Sequence, residues 1–279
     1  MSEIAGERPH TRWSLITVSY NSAATLAAHW DGERPGDVEW IVVDNASVDG
    51  SAETAERLGA RVIRRADNAG FARANNEGLE IAAGRYIAFV NPDVRVDYAT
   101  LPVLERTIDE HDAIVAPQLT YPDGRLQPNG RHAPTYPRKV INRLGFPDWS
   151  ARNYYVLCEP GVARYATWAI GAAITGTAAT IRAIGGWDER YFVYEEDKEF
   201  CLDAWEAGHP VIVTGDAQWM HSWARATTSL RLKPWLMTFQ GEAKFYAQRP
   251  GLFLSKRLWR HRRDPVIAWS GRPVHTAAG

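Results

Sequence analysis

Short apolar runs alternate with amphipathic stretches through the first hundred residues of the chain. Runs rich in β-branched and aromatic residues predict strands at 13–20, 38–43, 61–64 and 86–90. Helical periodicity predicts helices between them, at 22–30, 51–58 and 72–83. Strands and helices that alternate over short links are typical of an α/β fold with a mostly parallel central sheet flanked by helices.

Polar side chains follow each of these strands directly. They are Tyr20 and Asn21, Asp44 and Asn45, Asp67 and Asn68, and Asn91 to Asp93. In parallel sheets ligands bind beyond the carboxyl ends of the strands. The sequence therefore predicts a ligand site along this edge.

The second half of the chain is less regular. We predict helices at 101–110, 178–184 and 196–207, strands at 113–116 and 211–213, and a loop-rich segment at 118–165. The uncharged run 165–181 is too short and too polar to span a membrane, and we expect it to be buried core. The last fifty residues are expected to be a C-terminal helical extension.

Composition narrows the function classes. The formal net charge of −1 gives no global basic field for nucleic acid. Two cysteines, Cys158 and Cys201, are too few for a disulfide framework and fit a reducing compartment. The polar N-terminus lacks the layout of a signal peptide. We expect a cytoplasmic protein that is soluble or peripheral at the inner face of the membrane.

A local basic run lies near the C-terminus. Residues 249–263 carry six Lys or Arg and no acid, interleaved with apolar residues. This pattern is compatible with a peripheral helix attracted to anionic lipid. A solvated helix whose apolar stripe packs on the domain explains it equally well.

Two carboxylates at strand ends are candidates for ligand chemistry. Asp44 could accept a hydrogen bond from a pyrimidine N3–H, or it could cap the next helix together with Ser47. Asp93, after Asn91 and Pro92, could ligate Mg²⁺ or Mn²⁺, which prefer oxygen ligands. An ordinary Asx-Pro turn is the alternative for this loop.

Further candidates lie outside the first strands. Crowded acids at 195–199 raise one another's pKa, which suits a general base, although acids at a helix start also suit the macrodipole. Arg73 could reach a base or a phosphate, or form a surface ion pair. A lone histidine such as His221 is more often a hydrogen-bonded structural residue, and it becomes a candidate metal ligand only if it converges with Asp93. The sequence contains no GxxxxGK[ST] loop and no GxGxxG after the first strand, which argues against a P-loop protein and against a dinucleotide-binding protein.

Five ordered segments together resemble the family 2 glycosyltransferases, which have the GT-A fold. They are Thr17–Ser22, Ile41–Ser51, Asn68–Gly78, Phe89–Val94 and Gly185–Leu202. The resemblance implies a nucleotide-diphospho-sugar transferase that uses Mg²⁺ or Mn²⁺ and inverts the anomeric centre. It also implies a catalytic domain at 1–229, with a nucleotide-sugar-binding half at 13–100 and an acceptor half at 101–229, followed by an extension at 230–279.

The resemblance assigns roles to individual residues. It implies that Val18 and Tyr20 frame the base, and that Asp44 and Arg73 hold it. Asp93 matches the last acid of the family's DxD motif, Asn91 replaces the first, and His221 matches a later metal ligand. Asp197 falls at the position of the catalytic base, with Glu196 as its neighbour.

The donor and acceptor follow only by analogy. The Asn-Pro-Asp-Val form, the loop 122–128 and the Gly-Gly-Trp-Asp block are similar to the rhamnosyltransferase branch. This implies dTDP-L-rhamnose, or otherwise a UDP-sugar, as donor and a glycan or lipid-linked acceptor. A sugar-phosphate nucleotidyltransferase and an inactive carbohydrate-binding relative are the alternatives.

Overall fold

The computed structural model of the protein describes residues 11–222, 232–254 and 270–274. The strands are β1 Trp13–Ser19, β2 Val38–Asp44, β3 Arg61–Arg64, β4 Tyr86–Val90, β5 Val94–Arg95, β6 Ile114–Thr120, β7 Gly130–Arg131, β8 Tyr155–Val156, β9 Ala163–Tyr165, β10 Trp168–Ala169, β11 Ala173–Thr177 and β12 Val211–His221. The helices are α1 Ala23–His29, α2 Ser51–Arg57, α3 Phe71–Ile81, α4 Leu101–His111, α5 Tyr136–Arg143, α6 Pro147–Asn153, α7 Ala178–Ala183, α8 Glu196–Glu206, α9 Leu232–Gln248 and α10 Pro250–Leu254.

A large mixed sheet forms the centre of the fold. Its strand order is β3-β2-β1-β4-β11-β6-β12-β5, and β9 also pairs with β12. β1, β2, β3, β4, β6 and β12 run in one direction, whereas β5, β9 and β11 run against them. The prediction of a mostly parallel sheet is thereby confirmed. A smaller sheet of order β10-β7-β8 lies beside it.

Both faces of the large sheet are covered, which explains why its strands are apolar at successive positions. Ile41 and Phe89 face the layer that contains α3 and α8. Trp40 and Val42 face the layer that contains α1, α2 and α4. The helices therefore flank the sheet as predicted.

The second half of the chain contains more structure than the sequence pattern predicted. The segment expected to be loop-rich, 118–165, holds two helices and several short strands. The strand expected at 211–213 continues to His221, and from Asp216 onwards exposed or partly exposed residues alternate with buried ones. The strand expected at 113–116 extends to Thr120. The uncharged run 165–181 is largely buried, as predicted.

The described part of the C-terminal extension is not helical throughout. After α10, residues 270–274 lie beside β9, where Pro273 bridges Arg164 and Tyr165 donates its backbone N–H to Arg272. Most of the basic run 249–263 lies outside the described residues. None of the helices in the described ranges is long and apolar enough to cross a membrane.

Candidate active site

The ends of β1 and β2 carry three buried polar atoms that need a partner. The two strands are parallel, with Ser19 opposite Asp44. Ser19 Oγ, Asp44 Oδ1 and Asn45 Oδ1 are buried and have no hydrogen-bond partner among the described residues. Leaving such groups unsatisfied is costly, so each is suited to a ligand that brings hydrogen-bond donors.

Asp44 is not a helix cap, which was the alternative explanation for it. Its Oδ2 accepts a hydrogen bond from the backbone N–H of Ser47 at 2.9 Å, which closes a turn before the helix. Helix α2 begins later, behind Gly50 with φ of +83°. The hydrogen bond to Oδ2 fixes the Asp44 carboxylate at the strand end and leaves Oδ1 for a ligand.

The other residues that were expected to contact the nucleobase of the donor differ in their surroundings. Val18 is partly buried against the core, and Tyr20 is 53% exposed just beyond β1. Arg73 on α3 lies on the surface, with its Nε 3.7 Å from Glu77 Oε1 one helical turn away. The structure thus gives Arg73 the surface ion pair that was its alternative reading, and no described contact joins it to Asp44.

The loop after β4 is fixed from three sides. The backbone N–H of Asn91 donates to Ala172 O at 2.9 Å, and that of Val94 donates to Asn91 O at 3.1 Å. Trp30 Nε1 donates to Pro92 O at 3.0 Å. The turn that served as the alternative reading is therefore present, and it positions Asp93 rather than excluding a ligand role.

Asp93 and His221 lie side by side. The antiparallel pairing of β5 with β12 sets His221 opposite Val94, directly after Asp93. His221 Nε2 is 3.3 Å from Asp93 Oδ1, and the imidazole is buried. Its Nδ1 lies 2.6 Å from Gln127 Oε1. With Nδ1–H donated to that amide oxygen, Nε2 presents a lone pair towards the carboxylate.

The start of α8 is held in an unusual backbone conformation. Tyr194 and Glu195 have φ of +69° and +78°, in the left-handed region that non-glycine residues rarely adopt. The buried Glu195 carboxylate contacts two ammonium groups, Lys139 Nζ at 2.8 Å and Lys198 Nζ. Lys139 also pairs with Glu242 of α9 at 2.8 Å. The C-terminal extension thereby braces the turn that precedes the candidate base.

Asp197 lies in the first turn of α8 and keeps partial exposure. Its Oδ2 accepts the backbone N–H of Gly171 at 3.3 Å, and Cys201, four residues later, lies 3.5 Å from Ala169 N. The two side chains share one helical face, as their spacing predicts, while Glu195 points elsewhere. Burial raises the pKa of Asp197, and the Glu195 carboxylate adds to this whereas Lys198 opposes it.

Glu196 is buried beside Asp197, and its Oε2 has no partner among the described residues. Burial, and then the charge of Asp197, raise the pKa of Glu196 well above its ordinary value. Two adjacent carboxyl groups with raised pKa values are more typical of a functional site than of a simple helix start.

One turn connects the two halves of the site. Gly171 contacts Asp197, and the next residue, Ala172, holds Asn91. The loop that carries Asp93 and the Asp197 side chain therefore both contact this turn, whereas Arg73 lies on the surface of α3. Among the described residues, no group of three His, Cys, Asp or Glu could hold a metal ion.

Sequence reasoning did not identify Gln127 or Lys139 as contributors. Gln127 lies in the quoted loop 122–128, but nothing in its pattern shows that it faces a histidine 94 positions later. Lys139 lies in a segment predicted to be loop, so its pairing with Glu195 depends on a helix that was missed.

Comparison with known proteins defines the class. The family model described as "Glycosyl transferase family 2" matches residues 14–158, just over half of the chain. The chain belongs to glycosyl transferase family 2. This excludes the sugar-phosphate nucleotidyltransferase alternative.

The chain is similar to the N-acetylglucosaminyl-diphospho-decaprenol L-rhamnosyltransferase of Mycobacterium tuberculosis. The two are 26% identical over 216 residues, which cover 70% of this chain and 69% of the relative. The resemblance to the rhamnosyltransferase branch is thereby confirmed.

Solved structures confirm the GT-A fold. The mannosyltransferase PcManGT from Pyrobaculum calidifontis, in complex with GDP-Man and Mn²⁺, matches with a TM-score of 0.57 and 18% identity, over 92% of this chain and 68% of that one. S. aureus TarS 1-349 matches with a TM-score of 0.53 and 19% identity over 76% of this chain. That match spans 60% of the TarS fragment, less than two thirds of its length.

Proposed function

We propose that the protein transfers L-rhamnose from dTDP-L-rhamnose to a hydroxyl of a lipid-linked glycan, with inversion at the anomeric carbon. The donor and the lipid-diphosphate acceptor are proposed from the similar mycobacterial enzyme, whose name states both the sugar and the carrier. The observation that carries the reaction class is the Asp93–His221 pair at the end of the central strands.

The two side chains fit a divalent metal ion. In octahedral Mg²⁺ or Mn²⁺ sites with ligand bonds of about 2.1 Å, neighbouring ligand atoms are roughly 3 Å apart. The 3.3 Å between Asp93 Oδ1 and His221 Nε2 is close to that separation. Mg²⁺ is commonly held by one or two protein ligands together with substrate phosphates. A bound metal ion would neutralise the charge that develops on the departing diphosphate.

The strand ends of β1 and β2 would hold the nucleobase. Asp44 Oδ1 is a buried acceptor, and thymine and uracil both present an N3–H donor. Asn45 is fixed by its own Nδ2, which donates to Gly70 O at 3.0 Å, so its Oδ1 is also directed. Val18 and Tyr20 would frame the ring. Arg73 would need to leave Glu77 to take part.

Asp197 would act as the general base. The acceptor oxygen forms a bond to the anomeric carbon while the bond from that carbon to the donor diphosphate breaks. Asp197 takes the hydroxyl proton, and the nucleoside diphosphate leaves with the electron pair. The Gly171 N–H holds one carboxylate oxygen, so the other is directed by the backbone of α8. This fixed geometry suits proton abstraction.

Donor hydrolysis tests this function without the acceptor. We expect the protein to release nucleoside diphosphate slowly from dTDP-L-rhamnose when Mn²⁺ or Mg²⁺ is present, and not when EDTA is added. A comparison with UDP- and GDP-sugars would establish the preferred donor. An inactive carbohydrate-binding relative would release none of these diphosphates under any condition.

A further inference from the structure

A polar cavity lies apart from the residues described above, at the edge of the small sheet. Its volume is about 180 Å³. The lining comes from five separate segments and comprises His132, Ala133, Arg138, Arg152, Asn153, Thr167 and Ser270. None of the described residues that line it is acidic. Two guanidinium groups and one imidazole therefore face this small space, and no carboxylate of the described residues does.

The two arginines of this cavity have no carboxylate partner in the described part of the chain. Within the described ranges, neither Arg138 nor Arg152 forms an ion pair, and Arg138 Nη1 donates a hydrogen bond to Ala133 O at 3.4 Å. Arg138 is half-buried, and charges removed from water in proteins are normally paired, whereas Arg152 is exposed. Burial lowers the pKa of Arg138, and the Tyr154 side chain is the one group that opposes this shift. The site is thus prepared for an anion.

Hydroxyl groups complete the cavity wall. Thr167 Oγ1 donates to Ser270 Oγ at 3.1 Å, and Ser270 Oγ lies 2.8 Å from His132 Nδ1. The cavity has room for about six water molecules at roughly 30 Å³ each, which is enough for a tetrahedral oxyanion but too little for a nucleotide sugar. Forked guanidinium donors match phosphate oxygens well.

The position of the cavity relates it to the acceptor side of the reaction. Thr167 lines the cavity, Gly171 contacts Asp197, and Ala172 holds the loop that carries Asp93. Four residues of extended chain span at most about 14 Å, so the cavity wall and the Asp197 contact are close. Gly171, which contacts Asp197, thus lies in the sequence between the cavity residue Thr167 and Ala172, which holds the donor-side loop.

We propose that Arg138, Arg152, His132 and the Thr167–Ser270 hydroxyl pair bind a phosphoryl group of the acceptor. The inference rests on the proposed function and deepens it, because it names the residues that hold the phosphoryl group of the acceptor. Arg138 and Arg152 are specificity-determining residues, outside the donor and metal sites. They favour an acceptor whose sugar is attached through a phosphate or a diphosphate.

Paired acceptors test this proposal. One acceptor carries its sugar on a diphospho-polyprenyl chain, and the other carries the same sugar on a neutral alkyl chain. We expect wild type to prefer the diphosphate acceptor in kcat/KM, and Arg138→Gln and Arg152→Gln each to reduce that preference roughly ten- to hundredfold. Arg106→Gln, which removes an exposed cation on α4, is the matched control and should not change it. Equal preference in wild type and both variants would overturn the proposal.

Two further measurements separate this proposal from the proposed function. Donor hydrolysis should be unchanged in Arg138→Gln and Arg152→Gln, and its absence in wild type would overturn the proposed function alone. Titration with inorganic phosphate in EDTA measures the cavity directly, and binding that is equal in wild type and the double variant would overturn the anion site. Vesicles of phosphatidylcholine with and without polyprenyl phosphate identify the source. If vesicles with polyprenyl phosphate retain wild type but not the double variant, a lipid-linked phosphate is supported. If wild type binds free phosphate but is not retained by these vesicles, a lipid-linked phosphate is contradicted.

Discussion

His221 Nε2 faces Asp93 Oδ1 at 3.3 Å while His221 Nδ1 is held by the side-chain oxygen of Gln127 at 2.6 Å. A neutral imidazole oriented in this way directs a lone pair at a carboxylate oxygen. Two such acceptors are stable side by side when a cation or a proton lies between them. Gln127 thereby determines which nitrogen of His221 presents its lone pair to Asp93, although Gln127 contacts no acidic group of the site.

Gln127 is expected to control metal affinity. Replacing Gln127 with Leu removes the acceptor for His221 Nδ1–H, and loss of such a partner typically costs 10- to 100-fold in metal affinity. The Mn²⁺ concentration that supports half-maximal donor hydrolysis should rise by about that factor. Gln127→Glu keeps an acceptor at this position and should remain within a few-fold of wild type. Identical Mn²⁺ curves for all three proteins would refute the role of Gln127.

Asp197→Asn is expected to abolish transfer and to spare donor binding, because the amide cannot take the acceptor proton. Activity of the wild type should fall as pH drops through the pKa of Asp197, which burial raises above its ordinary value. The acid limb of the kcat profile therefore lies at higher pH than an exposed aspartate would give. For Asp197→Asn we expect no turnover and an unchanged affinity for dTDP. Normal turnover of Asp197→Asn would remove Asp197 from the mechanism.

Glu196 is expected to reduce the stability of the fold at neutral pH. Folding raises its pKa, so the native state binds its proton more tightly than the unfolded chain does. Stability is then lost as pH rises from the unfolded pKa towards the folded one. Glu196→Gln removes this ionisation and should stabilise the protein by about 1–3 kcal/mol at pH 7 and by nothing near pH 3.

Thermal melts across this pH range provide the measurement for Glu196. Glu80→Gln, an exposed acid on α3, serves as the control and should melt like wild type at both pH values. A Glu196→Gln protein that is less stable than wild type at pH 7 would show that this carboxylate supports the fold.

Asp44 is expected to select the nucleobase. Thymine and uracil donate a hydrogen bond from N3–H, whereas cytosine N3 is an acceptor and would face the Asp44 carboxylate unfavourably. Wild type should bind dTDP and UDP more tightly than CDP. Asp44→Asn can donate as well as accept, so it should reduce this discrimination by roughly tenfold or more. Calorimetry with the three diphosphates measures the ratio, and an unchanged ratio would place the base elsewhere.

Much of the nucleotide half could be predicted because β1, β2 and β4 are buried on both faces and form apolar runs in the sequence. β3 and β4 have the bounds that the apolar runs indicated. The polar residues that follow β2 and β4 lie at the same edge because parallel strands place their carboxyl ends together. Local pattern and long-range packing agree here, so sequence alone was sufficient.

The rest depended on contacts between distant residues. β7 and β8 are each two residues long and exist through their pairing with one another and with β10. No periodicity can indicate strands of that length. β12 was different, since Ala217 and Trp219 alternate with more exposed residues and the signal for a longer strand was present. The approach of His221 to Asp93 follows from β12 reaching β5.

The most direct test is the binding of dTDP with and without Mn²⁺, measured by calorimetry on wild type, Asp93→Asn and His221→Ala. We predict that Mn²⁺ strengthens dTDP binding to wild type at least tenfold, and that either substitution removes most of this gain while metal-free binding stays the same. Mn²⁺ that strengthens dTDP binding equally in all three proteins, or in none, would contradict the assignment of Asp93 and His221 as the residues that hold the metal.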